Sequence, residues 1–171
     1  MQTCLELPMS IKADENQRNL EIRKTIIIDA SIDTVFKAIT DQEELTQWFP
    51  DQAVLEPRVS GRVIFTTIKN LHPEWKLDGD YVMEGSIKEF LPNRKLSYTW
   101  KYRDKPDFPE TTVIWELTEI SHAKTQVELT HSGFTGVEKG LTSFESHNEG
   151  WMEILSKLAN YCKGVNKVGI K

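Results

Sequence analysis

The sequence predicts an α+β fold of element order β-α-α-β6-α, a curved antiparallel sheet wrapped around one long C-terminal helix. Three observations carry that expectation. From Ala53 to Gly133, short runs alternate apolar and polar residues between clusters of turn residues, the period of strands joined in a meander. From Glu138 to about Lys163 the period becomes helical, with His147, Gly150, Trp151, Leu155 and Leu158 on one stripe. A sheet with a single apolar helix buries both apolar faces by curling around that helix, and layers that meet at their ends leave a cavity between them.

Taken in order, residues 1–19 are polar, lack periodicity and read as an N-terminal extension. Leu20 to Ile28 alternates and then becomes a β-branched run, the signature of a strand. Ser31 can cap a short helix whose Ile32, Val35, Phe36 and Ile39 keep helical spacing. A second short helix follows from Thr40 or Asp41, with Glu43 and Glu44 in the first turn, where the helix dipole favours them, and Pro50 stops it. Turns near 57–61, 78–80, 92–94, 104–109 and 121–124 then divide the alternating region into six strands. The last helix is expected to close near Gly164, giving one domain over 20–164 and a tail over 165–171.

The chain of 171 residues suits one domain with a sizeable core, and its formal net charge of -5 offers no basic footprint for nucleic acid. No apolar run reaches the roughly 18 to 20 residues that span a bilayer, and the N-terminus lacks a basic start with an apolar segment behind it. A cytoplasmic protein without membrane insertion is expected. Cys4 and Cys162 lie at opposite ends of the chain and read as free thiols. With no metal-ligand spacing, glycine-rich phosphate loop or nucleophile elbow, neither a metal nor a cofactor is expected.

Side chains alternate across a sheet, so parity assigns the inner face. Val63, Phe65 and Thr67 share one parity, as do Leu96, Tyr98, Trp100 and Tyr102 in the next clear strand. Val113, Trp115 and Leu117 form a third inner set, and Val127, Leu129 and His131 a fourth. In YVMEGSIKEF, Glu89 has the parity of Tyr81, Met83 and Ile87, although Phe90 breaks the pattern in the manner of a bulge or strand end.

The expected cavity wall is therefore Trp48, Phe65, Tyr98, Trp100 and Trp115 from the front of the chain, with Trp151 and Leu155 from the last helix. His131 and His147 would supply the few oriented hydrogen bonds. The same two histidines and Glu89 are the candidate acid-base groups, because imidazole titrates near neutral pH and an inward carboxylate has a raised pKa. Gly150 reads as the point where the helix comes close to the sheet or to the ring of Trp48. His72, in LHPEW, reads as exposed, and Asp41, Glu43 and Glu44 as a solvated turn able to form a partner-binding rim.

Three stretches carry a family resemblance: IIIDASIDTVFKAITDQEELTQWF, ELTHSGF, and the helix signature H-N-E-G-W-x-x-x-L-x-x-L-x-x-Y. Together they resemble bacterial proteins similar to the C-terminal domain of the activator of the ninety-kilodalton heat-shock protein ATPase. These fall within the START-like, or SRPBCC, helix-grip superfamily, which also holds polyketide cyclases and the birch-pollen allergen. The likeness covers about Leu20 to Lys163. It implies a helix-grip fold around an elongated hydrophobic cavity, and a role in binding lipids, sterols or aromatic metabolites, in cyclisation, or in engaging a chaperone during the stress response. The sequence lacks the N-terminal domain that the eukaryotic activators use alongside this one, and no fixed catalytic set transfers onto it. The expected function is binding of a hydrophobic or aromatic small molecule. The alternatives are a chaperone-interacting regulator and a cyclase- or hydrolase-type enzyme that uses the same cavity.

Overall fold

The computed structural model describes residues 20–168. Strand β1 (Leu20–Ile28) leads into helices α1 (Ile32–Thr40) and α2 (Gln42–Leu45). Strands β2 (Gln52–Leu55), β3 (Arg62–Thr67), β4 (Tyr81–Leu91), β5 (Lys95–Tyr102), β6 (Thr111–Ser121) and β7 (Lys124–Phe134) follow, and helix α3 (Phe144–Val168) is the last described element. The seven strands form one antiparallel sheet of order β1-β7-β6-β5-β4-β3-β2. This is the predicted α+β helix-grip order, a meander closed by β1 pairing back onto β7.

Local chemistry sets the elements. The Ser31 hydroxyl accepts the Thr34 N–H at 3.2 Å and starts α1, whose buried face is Val35, Phe36, Ala38 and Ile39. One oxygen of Asp41 accepts the N–H groups of Glu43 and Glu44 at 2.9 and 3.0 Å, so the first acid of the cluster caps α2. Glu44 reaches back to Lys37 at 3.0 Å.

The C-terminal helix starts later and runs further than its sequence pattern suggests. Gly136 and Gly140 adopt left-handed φ values of 84° and 64°, and the Glu138 carboxylate accepts the N–H groups of Thr135 and Gly136 at 2.8 Å each. That bonding makes 135–140 a loop. The Ser143 hydroxyl then accepts the Ser146 N–H at 3.1 Å and begins α3. Gly164 lies within α3, which continues through Val168 into the segment expected to be a tail. The N-terminal extension with Cys4, and residues 169–171, lie outside the described residues.

A bulge corrects the inward placement of Glu89. Pairing of β4 with β5 runs Met83 to Tyr102 and Ile87 to Tyr98, then shifts by one residue so that Glu89 faces Ser97 and Phe90 faces Leu96. Phe90 thus turns inward onto Phe36, at 5.6 Å between ring centroids, and Glu89 turns outward to Lys95 at 2.8 Å. Lys95 holds the Glu89 carboxyl below the usual carboxylate range. A Cβ at Gly85 would lie 1.8 Å from the Thr99 carbonyl oxygen, so only glycine permits this close approach of β4 and β5.

The core sits where the inner face of the sheet meets α1 and α3. On α3 the buried residues His147, Trp151, Leu155, Leu158 and Cys162 are spaced by three and four, one stripe of the helix. Burial pushes the Cys162 thiol up to about 12, which leaves it an unreactive apolar filler.

Candidate functional site

A cavity of about 420 Å³ separates part of α3 from the sheet, a size suited to a small molecule. Strand alternation supplies one wall, with Phe65 on β3, Tyr81 and Met83 on β4, and Trp100 and Tyr102 on β5. Successive turns of α3 supply the facing wall through His147, Gly150, Trp151 and Ile154. The segment between β3 and β4, which forms two short 3-10 turns at Lys69–Leu71 and Pro73–Trp75, adds His72, Trp75 and Leu77.

Gly150 has a role different from the expected one. No heavy atom lies within 4 Å of a Cβ built on it, so the missing side chain leaves cavity space and is not a point of close contact. His72 is not free in solvent either. Its Nε2 donates to the Asp51 carboxylate at 2.9 Å, and its ring stacks on Trp75 with centroids 4.1 Å apart and planes 7° from parallel. Asp51 also accepts the Ile68 N–H at 2.7 Å, which ties this segment to the edge of the sheet.

At the inner end the two histidines meet, with ring centroids 5.3 Å apart. An indole N–H can only donate, so the bond from Trp151 Nε1 to His131 Nδ1 at 3.0 Å requires that nitrogen to be bare. His131 Nε2–H then donates to the Thr111 hydroxyl at 2.7 Å, which in turn donates to the Trp100 carbonyl at 3.0 Å. His147 follows the same logic. Its Nδ1–H donates to the Ser143 carbonyl at 2.8 Å, which leaves Nε2 to accept the Tyr102 hydroxyl at 2.9 Å. His131 is therefore held neutral by its partners, and burial favours the neutral form of His147. Burial lowers the pKa of His131 far below the usual imidazole value, with His147 beside it as a lesser cause. Burial lowers His147 as well, against weaker opposition from the Ser143 backbone and the charge of Glu138. The Tyr102 phenol is raised by the same loss of water.

Of the residues read from the sequence, Phe65, Trp100, His147 and Trp151 line this cavity. Trp48, Tyr98, Trp115, His131 and Leu155 lie in the closed core behind it. Trp48 donates its indole N–H to the Ala38 carbonyl at 3.0 Å, and Trp115 donates to the Tyr98 hydroxyl at 3.1 Å, so both are satisfied without a ligand. Glu89 lies outside the cavity, and no acid-base pair with His147 is assembled. The sequence reading missed Tyr102, His72 and Trp75 as cavity residues. Tyr102 was legible from its parity with Trp100, whereas nothing in LHPEW signals that the segment folds over the cavity. Among the described residues no group of three His, Cys, Asp or Glu side chains is placed to hold a metal ion, and no helix is long and apolar enough to cross a membrane.

The family model described as Activator of Hsp90 ATPase homolog 1-like protein matches residues 29–163, from the end of β1 through most of α3. The chain belongs to this family. That span contains both walls of the cavity and the histidine pair. Solved structures similar to this Activator of Hsp90 ATPase homolog 1-like chain share its fold at low identity. Protein CV1439 from Chromobacterium violaceum is 19% identical with a TM-score of 0.68, over 82% of this chain and 94% of that one. PFC0360w, an HSP90 activator from Plasmodium falciparum, is 21% identical with a TM-score of 0.63, over 81% and 92%. The solution structure of the Aha1 dimer from Colwellia psychrerythraea is 19% identical with a TM-score of 0.64, over 82% and 93%. No curated protein matches the chain.

Proposed function

We propose that the protein binds a hydrophobic or aromatic small molecule in the cavity between the sheet and α3. The observation that carries this reading is the aromatic wall of Phe65, Trp100 and Trp151 around about 420 Å³ of space, with a glycine on the helix where a side chain would fill it. Close-packed interiors rarely keep such a void, so one that is kept in an apolar setting favours occupation. A neutral naphthalene dye is expected to bind wild-type protein with enhanced emission. Gly150→Leu, which projects into the void, is expected to fold normally and to weaken that binding at least about tenfold, the cost of losing a well-filled apolar subsite. If the leucine variant bound the dye as tightly as wild type, the cavity would not be the binding site.

A second reading, a regulator that engages a chaperone, is supported by family membership, since the family description names an activator of the Hsp90 ATPase. Its test is the steady-state ATPase rate of the chaperone with and without the protein. An unchanged rate at saturating protein would sink it.

A further inference from the structure

The mouth of the cavity points to the chemistry of the ligand's outer end. Among the described residues two lysine ammonium groups lie over aromatic rings, Lys157 Nζ at 5.6 Å from the centroid of Trp75 and Lys105 Nζ at 5.0 Å from that of Tyr81. Both rings line the cavity. An aromatic face carries negative charge density, so the protein's own cations show what these walls attract. Trp75 is fixed in that pose by its stack on His72, which Asp51 holds at 2.9 Å.

The charges at the mouth have the same sense. Glu149, Glu153 and Lys157 line the cavity from successive turns of α3. Lys157 is committed to Glu153 at 3.1 Å and Lys105 to Asp78 at 2.8 Å, whereas no basic side chain among the described residues pairs with Glu149. Carboxylates one helical turn apart repel each other, and a cation between them relieves that repulsion. An entering anion would meet those carboxylates and find both lysines already paired. At the histidine end of the cavity the polar groups are spent on one another. The Trp100 indole N–H is taken by the Tyr102 hydroxyl, which donates to His147, and Trp151 donates to His131. An ion carried there would lose its water and gain no partner, so a charged end belongs at the mouth and an apolar end inside.

Building on the binding function proposed above, we infer that the ligand is a cationic amphiphile, an aromatic body bearing an ammonium group, which seats that group over Trp75 beside Glu149 and Glu153. Its rings lie against Phe65 and Trp151. Lys157 Nζ, over the same ring and against the same Glu153, stands where the ligand's head would sit and competes with it.

The test compares three probes of similar shape by calorimetry at neutral pH and low salt: protonated naphthylethylamine, neutral naphthylethanol and anionic naphthylacetate. Wild-type protein is expected to bind the amine at least about threefold tighter than the alcohol, the worth of an exposed cation–π contact and a solvated carboxylate, and to bind the acetate weakest. Added salt is expected to shrink the amine's advantage and to leave the alcohol unchanged. Glu149→Gln and Trp75→Leu, both at exposed positions, are each expected to bring amine and alcohol within about twofold of each other. Lys157→Met removes the competing ammonium and is expected to widen the amine's advantage; a narrower one would overturn the shared seat. Equal binding of amine and alcohol by the wild type would overturn the ammonium head and leave the cavity as a binding site. Tightest binding of the acetate would overturn it in favour of Lys157 as a counter-ion. Failure of all three probes and of the neutral dye would overturn the binding function together with this inference.

Discussion

At the scale of the residue, the two histidines of the helix-grip interior are structural groups, each with one ring nitrogen whose role is fixed by a donor-only or an acceptor-only partner. Trp151 can only give a hydrogen and the Ser143 carbonyl can only take one. His131→Leu is therefore expected to strand the Trp151 N–H and to destabilise the fold by about 1 to 3 kcal/mol, read from urea midpoints. The pH dependence has a definite sign. The folded imidazoles have pKa values below that of the unfolded chain, about 6.5. The unfolded state takes up protons first as pH falls. Stability is thus fully present above about pH 6.5 and is lost progressively below it, toward the depressed native values. Urea midpoints measured down to about pH 5 are expected to fall for wild type and to fall less steeply for His131→Asn. A flat wild-type profile would show that neither ring is kept neutral by folding.

At the scale of the element, glycines of opposite meaning sit on the two walls. Gly85 on β4 has the Thr99 carbonyl oxygen where a Cβ would go, whereas Gly150 on α3 has nothing within 4 Å. Gly85→Ala is expected to cost about 2 kcal/mol or more through forced displacement of β4 from β5. Gly150→Ala is expected to stabilise by up to about 1 kcal/mol, because alanine is the better helix former and meets no obstacle. Thermal melts of the pair check both signs together. The bulge in β4 belongs to this scale too. Parity read from Tyr81 to Ile87 was sound up to the shift, and one extra residue then reversed Glu89 and Phe90. Phe90 betrayed the reversal in the sequence, but its position did not, because alternation says which residues share a face only while the pairing stays regular.

At the scale of the molecule, the sheet is one continuous antiparallel surface and α3 spans its concave side, so the cavity is a product of the whole fold and not of any motif. Ligand binding should then stabilise the whole fold through mass action. At a free ligand concentration about 100 times Kd, stability is expected to rise by about 2.7 kcal/mol, which for a chain of this size raises Tm by roughly 5 to 10 °C. Thermal unfolding with the neutral naphthalene dye measures this, and a ligand-independent Tm would contradict binding to the folded state.

The sequence alone determined the element order, the cap at Ser31, the α3 stripe and the family, because each depends on neighbours in the chain or on short-period alternation, whereas the structure chose Asp41 over Thr40 as the cap of α2. Tertiary structure alone decided which aromatic side chains face space and which are sealed in core. Trp115 and Tyr98 have the same apolar parity signal as Trp100, and only the contacts they make across elements separate them. It also decided that the segment holding His72 and Trp75 closes over the cavity, since Asp51 and Lys157 come to it from distant parts of the chain. A void is the shape left between packed layers, and no local pattern of residues encodes where those layers fail to touch.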